Sequence, residues 1–349
     1  MCARTDGSTG NSKSVPEFTP QERSADQQCG EQEYIVNALP LQQPDRERFE
    51  RLAGGAEQWF IGPAEEGLMQ LPEHWQERAT VILGNLPPAL VAQCSKLRWL
   101  QTGSAGVNTY QGILPPQARL TSASGAYGQA VSEHMFALMW ALMKQLPLYR
   151  DQQLAKTWRP LGQVLTARGA SVLVLGTGDL GSHFAQLVQA VGAHTVGVRR
   201  NATRPAAGIE QMHTFEDLDQ LLPQADVVAL ALPAAGDTHH MIDERRLKLM
   251  KSTAILINAG RGDAVDCAAL ARVLAAGHLW GAGLDVSEPE PLPANHPLWE
   301  QPRCLMTPHV AGGYHLATTR QKVLDIAAAN MERYMNGQEL VNLMSEGRR

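Results

Sequence analysis

The sequence predicts an α/β protein of two doubly wound parallel-sheet domains. Three observations carry this reading. Short, continuously apolar segments recur along the chain, helical patterns fill the gaps between them, and one glycine-rich turn heads the second series. The 349 residues, 44% hydrophobic and 19% charged, leave room for two separate cores.

Residues 1–31 are rich in Ser, Thr, Gln, Pro and Gly and poor in large apolar side chains, which predicts a disordered tail. The start has no apolar core of the kind a secretory signal needs. Apolar strands are then predicted at EYIVNAL (33–39), EQWFIG (57–62), ATVILGN (79–85), LRWLQTG (97–103) and ARLTSAS (118–124). Helical spacing of apolar residues predicts one long helix from about Gln129 to Lys156. Its apolar run MFALMWALM, 135–143, is far short of the roughly 20 residues that span a bilayer. Six more strands follow: SVLVLG (171–176), HTVGVR (194–199), DVVALAL (226–232), AILINA (254–259), GAGLDV (281–286) and RCLMTP (303–308). A last helix, about 316–336, is expected to return to the first unit. The expected division is 32–125 with 317–349 as one domain and 126–316 as the other.

The bulk chemistry narrows the function classes. A net charge of −5 without a long basic block argues against nucleic acid as partner, and no segment reads as membrane-spanning. The five cysteines, at 2, 29, 94, 267 and 304, form no C-x-x-C pair. They suit a reducing, cytoplasmic setting and predict neither a disulfide framework nor a zinc site; no metal is expected.

VLVLGTGDLGSHF sets Gly176, Gly178 and Gly181 in a G-x-G-x-x-G pattern between a predicted strand and a predicted helix, the context of a Rossmann dinucleotide site. Gly176 permits the tight turn, Gly178 the approach of a pyrophosphate and Gly181 the packing of helix on strand. The N–H groups of Asp179 and Leu180 at the helix start face the anion. An acidic residue about 20 positions beyond such a loop reads the adenosine ribose of NAD. Here Arg199 stands 21 residues beyond Gly178, followed by Arg200. A guanidinium attracts the 2′-phosphate that a carboxylate would repel, so NADP(H) is the expected preferred cofactor, with NAD(H) still accepted. Arg204 adds weakly to the patch, and a solvated charged turn is the plain alternative.

Three further candidates sit at strand ends: Arg261 in INAGRGDAVD, Asp285 and Glu290 in GAGLDVSEPEPLP, and His309 in LMTPHVAGG. Ligands of open α/β sheets bind beyond the carboxyl ends of the strands, so these loops can share one crevice. Together with TGSAGVN in the first unit, the motifs resemble the D-isomer-specific 2-hydroxyacid dehydrogenase family, in particular glyoxylate and hydroxypyruvate reductases, from about residue 33 to the end. The resemblance implies a flavodoxin-like substrate domain beside the Rossmann cofactor domain, with the active site in the cleft between them. It also implies reduction of a small 2-keto acid to the D-2-hydroxy acid.

By that resemblance His309 is the proton donor, Glu290 its orienting partner, and Arg261 the group that binds the substrate carboxylate and polarises the carbonyl. Ala105 and Gly106 offer backbone N–H groups to the substrate. Leu232, Pro233, Asn258, Ala259, Gly260, Asp285, His309 and Gly312 line the cofactor, Asp285 at the carboxamide. Tyr127 and Trp158 are candidates to shape the pocket. Two positions depart from the family pattern: Asn108 where Asp is usual, and Ser132 where Ala is common.

The remaining histidines, His239–His240 included, are read as structural. The Met-rich HMFALMWALMK is read as a packed helix that could also face a second subunit, and a homodimer is expected. Two alternatives stay open: phosphoglycerate dehydrogenase, and a cofactor-sensing, corepressor-like scaffold that binds other proteins. Formate dehydrogenase has Gln where Glu290 stands.

Overall fold

The computed structural model describes residues 32–62, 71–233 and 236–344, so the predicted tail, 1–31, lies outside the described residues. Two parallel sheets are present, of five and seven strands. The first comprises β1 (Tyr34–Asn37), β2 (Glu57–Phe60), β3 (Val81–Leu83), β4 (Trp99–Gln101) and β5 (Arg119–Thr121), in the order β2-β1-β3-β4-β5. Helices α1 (Gln43–Leu52), α2 (Glu73–Gln76) and α3 (Pro88–Val91) lie in its crossovers. Strand β3 is buried at every position, which explains its unbroken apolar sequence.

Next come α4 (Gly128–Met143) and α5 (Leu146–Leu154). The sequence predicts one helix here; the structure breaks it at Gln145. That residue is left-handed, with φ 57°, and Pro147 lacks the N–H that would carry the helix through. The break is anchored: Gln145 Nε2 donates to Gln163 O at 2.6 Å, and Arg303 donates to Gln145 Oε1 at 3.0 Å. The Met-rich stretch lies on α4 as core, with Met135, Met139 and Met143 buried and the helix packed on the segments 179–190, 255–258 and 281–284.

The second sheet comprises β6 (Ser171–Leu175), β7 (His194–Val198), β8 (Gln211–His213), β9 (Val227–Leu230), β10 (Ile255–Asn258), β11 (Gly281–Leu284) and β12 (Cys304–Met306). Its order is β12-β11-β10-β9-β6-β7-β8. Its crossovers hold α6 (Asp179–Ala190), α7 (Leu218–Leu221), α8 (Glu244–Leu249) and α9 (Cys267–Ala275). The seventh strand, β8, is absent from the sequence reading. It is three residues long, partly polar and on the sheet edge, so it carries no apolar run. Strand order reverses beside β6, which makes its carboxyl end the switch-point crevice of the sheet.

Helix α10 (Ala317–Met335) returns to the five-stranded sheet. Arg48 Nη1 meets Asp325 Oδ1 at 2.6 Å, Arg320 pairs with Asp45, and Tyr334 stacks on Trp99 with centroids 4.9 Å apart. Buried Asn330 donates to Gln101 Oε1 at 2.8 Å, which also accepts from Thr121, so this polar cluster is internally satisfied. Among the described residues no helix is long and apolar enough to cross a membrane.

Candidate active site

The glycine turn joins β6 to α6. Gly176 has φ 91°, and a Cβ there would meet Ala231 O at 2.7 Å. A Cβ on Gly181 would strike Gly176 O. Packing therefore requires both glycines. Gly178 differs: a Cβ there would meet nothing within 4 Å. It caps α6 without a side chain to receive the first N–H groups, including those of Asp179 and Leu180. A bare backbone facing open space at a helix start fits the pyrophosphate of a dinucleotide. The Asp179 carboxylate turns aside, to His183 Nδ1 at 3.3 Å and towards Gly128.

Arg199 and Arg200 follow β7, and the structure separates them. Arg200 is engaged by Asp237, with Nη2 at 3.0 and 3.1 Å from its two oxygens. The Arg199 guanidinium has no partner among the described residues; its backbone N–H bonds His213 O at 3.1 Å. Asn201 closes the turn by accepting from Thr203 N and Oγ1. Leu232 and Pro233 follow β9, and the Leu232 backbone packs on Gly260, where a Cβ would meet its N and O at 2.7 Å.

Arg261, Asp285 and His309 follow β10, β11 and β12, adjacent strands in register through Asn258↔Leu284 and Leu284↔Met306. They therefore emerge at one sheet edge. His309 Nδ1 lies 2.5 Å from Glu290 Oε1. Among the described residues the other ring nitrogen is free. His309 is held left-handed, φ 52°, a conformation that costs a non-glycine residue on the order of 1–2 kcal/mol. The compensation comes from Asp285, whose side chain is 2% exposed. Its carbonyl accepts from His309 N at 2.8 Å, and its carboxylate accepts from Val310 N, Ala311 N and Thr307 Oγ1 at 3.0, 3.0 and 2.6 Å. The Asp285 side chain thus fixes the His309 loop. Asn258 steadies the Arg261 turn, accepting from Gly260 N and donating to Arg261 O at 2.9 Å, while Ala259 N bonds Leu230 O.

The 103–108 loop reaches this edge from the first sheet. A Cβ on Gly106 would fall on Arg261 Nη2, so glycine is needed for the guanidinium to lie there. The carbonyls of Ser104 and Gly106 accept from Thr102 Oγ1 at 2.8 Å and Ser104 Oγ at 2.7 Å. Among the described residues the N–H groups of Ala105 and Gly106 have no acceptor. Asn85 Oδ1 accepts from Gly103 N at 3.0 Å, and the hydroxyls of Tyr127 and Tyr314 both donate to Gly103 O. Burial pushes both tyrosine pKa values up, which keeps them protonated donors. Gly312 packs on the Tyr127 ring, 3.6 Å from a Cβ built there.

The two departures have local outcomes. Asn108 is exposed at the start of a short 3-10 turn, and Asn85, Thr102 and Ser104 support the loop instead. Ser132 is buried and its hydroxyl bonds Gln129 O in its own helix. Tyr127 joins the site; Trp158 does not. The Trp158 side chain is fully exposed, over a surface cavity of about 670 Å³ walled by residues 149–160.

Residues absent from the sequence reading also matter here. Thr307 bridges Asp285 and His134, whose Nε2 lies 2.9 Å from Thr307 Oγ1. Asn85 and Tyr314 brace the 103–106 loop. Thr307 and His134 lie inside the quoted motifs, but their partners are distant in sequence.

Residues 136–311 match the family model described as D-isomer specific 2-hydroxyacid dehydrogenase, NAD binding domain. The chain is similar to a glyoxylate reductase of Aeropyrum pernix, 29% identical over 294 residues that span 81% of this chain and 87% of that one. Among solved structures it resembles a D-isomer specific 2-hydroxyacid dehydrogenase family protein from Aeromonas salmonicida subsp. salmonicida A449. The identity is 32% and the TM-score 0.76, covering 90% of this chain and 99% of the other. It also resembles a D-isomer specific 2-hydroxyacid dehydrogenase from Xanthobacter autotrophicus Py2 solved with NADPH and MES, at 25% identity and TM-score 0.75, covering 91% and 99%.

Proposed function

The chain is an NAD(P)-dependent oxidoreductase belonging to the D-isomer specific 2-hydroxyacid dehydrogenase family, and from that premise we propose that it reduces a small 2-keto acid, glyoxylate, hydroxypyruvate or a close analogue, to the D-2-hydroxy acid with NADPH preferred. The observation that carries this reading is the His309–Glu290 pair at the sheet edge where Arg261 lies against Gly106 of the 103–106 loop.

In the proposed reaction Arg261 and the N–H groups of Ala105 and Gly106 hold the substrate carboxylate. A nicotinamide cofactor held in this crevice would supply the hydride. His309 Nε2 gives its proton to the carbonyl oxygen while Glu290 holds Nδ1 and stabilises the imidazolium. Asp285 keeps the His309 loop in place at the nicotinamide end. The turn at Gly176, Gly178 and Gly181 takes the pyrophosphate with Asp179 and Leu180; Leu232, Pro233, Asn258, Ala259, Gly260 and Gly312 line the remaining length.

NADPH preference rests on Arg199 at the expected ribose position, whose fork is unengaged among the described residues, with Arg200 steadied by Asp237. We assign 32–125 with 317–349 to the substrate side and 126–316 to the cofactor side. A homodimer is part of the proposal, supported by the exposed apolar side chains of Leu146, Leu154 and Trp158. Cytoplasmic residence is supported by the unpaired thiols of Cys94, Cys267 and Cys304.

The test is a panel of glyoxylate, hydroxypyruvate, pyruvate and bulkier 2-keto acids run with NADPH and NADH. The smaller acids with NADPH are expected to have the highest kcat/KM. Failure to turn over any of them would sink the reductase reading in favour of a scaffold, and a higher kcat/KM with NADH would sink the cofactor preference.

A further inference from the structure

His239 and His240 lie in the turn after β9, where sequence spacing offers them no metal partner. In the structure their rings stack, with centroids 4.0 Å apart and planes 21° from parallel. His240 is left-handed, φ 46°, and its N–H is fixed on Asp263 O at 2.7 Å. That turn lays its ring beside its neighbour's. Both Nε2 atoms face one carboxylate from a distant loop: His240 to Glu288 Oε2 at 2.7 Å, His239 to Glu288 Oε1 at 3.4 Å.

A single imidazole satisfies a carboxylate as an ordinary hydrogen-bonded pair, as in His194–Glu210 and His213–Asp217. The second histidine at Glu288 is superfluous on that account. Two stacked imidazoles converging on one carboxylate form a three-ligand set instead. Their ligand atoms lie within 4.8 Å of one another, the one such group among the described residues. Two nitrogens and one oxygen suit borderline transition ions rather than Mg²⁺ or Ca²⁺, and a three-ligand His₂Glu set leaves a position open to water.

We propose that His239, His240 and Glu288 bind one divalent first-row transition-metal ion of the zinc class. The ion ties the turn after β9 to the loop that carries Glu290. Its binding requires neither cofactor nor keto acid.

The full chain, stripped with chelator, is titrated with Zn²⁺ by calorimetry and with Co²⁺ by visible absorption. One equivalent is expected to bind and to raise Tm. Glu288→Gln is expected to weaken binding at least about tenfold, and the double variant His239→Ala/His240→Ala to abolish it and the Co²⁺ bands. His194→Ala is expected to bind as the parent does. Metal-free Tm of each variant, matched to the parent, shows that the fold is kept. No saturable binding by the parent, or equal binding by the double variant, would overturn the site. Because no turnover is measured, failure here leaves the reductase reading untouched, and the reverse also holds.

Discussion

Two glutamates two residues apart, Glu288 and Glu290, each hold a histidine with positive φ. Glu290 takes His309 at 2.5 Å and Glu288 takes His240 at 2.7 Å. The pairs differ in what surrounds the imidazole. Among the described residues the ring of His309 meets only Glu290 by hydrogen bond, and it stands at the edge shared with Arg261 and the 103–106 loop. His240 has the ring of His239 stacked on its face, and both Nε2 atoms converge on one carboxylate. The same local pair can therefore present a proton or gather a cation, and the surroundings of the ring decide which.

That contrast can be broken by substitution. The largest effect is expected from His309→Ala, a fall in kcat of about 10²–10⁴-fold with cofactor affinity kept, measured by steady-state kinetics and cofactor titration. Arg261→Ala should lower kcat/KM for the keto acid by about 10²–10³-fold; Arg261→Lys should recover little, because an ammonium lacks the planar fork. Glu290→Gln, which keeps a hydrogen bond and removes the charge, should lower kcat by about 10²-fold. Glu288→Gln should cost far less in the same assay, and equal losses would erase the distinction between the pairs. The smallest effect is at the cofactor end. Arg199→Asp should swing the NADPH-to-NADH ratio of kcat/KM towards NADH by on the order of tenfold. Arg200→Asp should move it less, since Asp237 already engages Arg200.

Much of this architecture is legible in the sequence. Strands buried on both faces are dominated by apolar side chains, so β3, β9 and β11, and β10 up to Asn258, announce themselves. The glycine turn is legible because backbone geometry admits no other residue at Gly176 or Gly181. The edge strand β8 is not, because an edge needs little apolar surface. The site is legible as a set of residue types at strand ends, but not as contacts. Asp285 matches the family motif for the cofactor, yet its carboxylate secures the loop of His309. His134 and Thr307 meet across 173 residues, and Tyr314 reaches Gly103 across 211.

By itself the sequence determined the two sheets, the glycine turn, the place of Arg199 and the identity of the residues at the strand ends. These follow from local periodicity and spacing, which act over a few residues. Only the tertiary structure decided that, among the described residues, Arg200 is engaged and the Arg199 guanidinium is not. It alone laid Gly106 against Arg261 and turned two histidines onto Glu288. Those outcomes depend on distances between segments far apart in the chain, which no local pattern encodes.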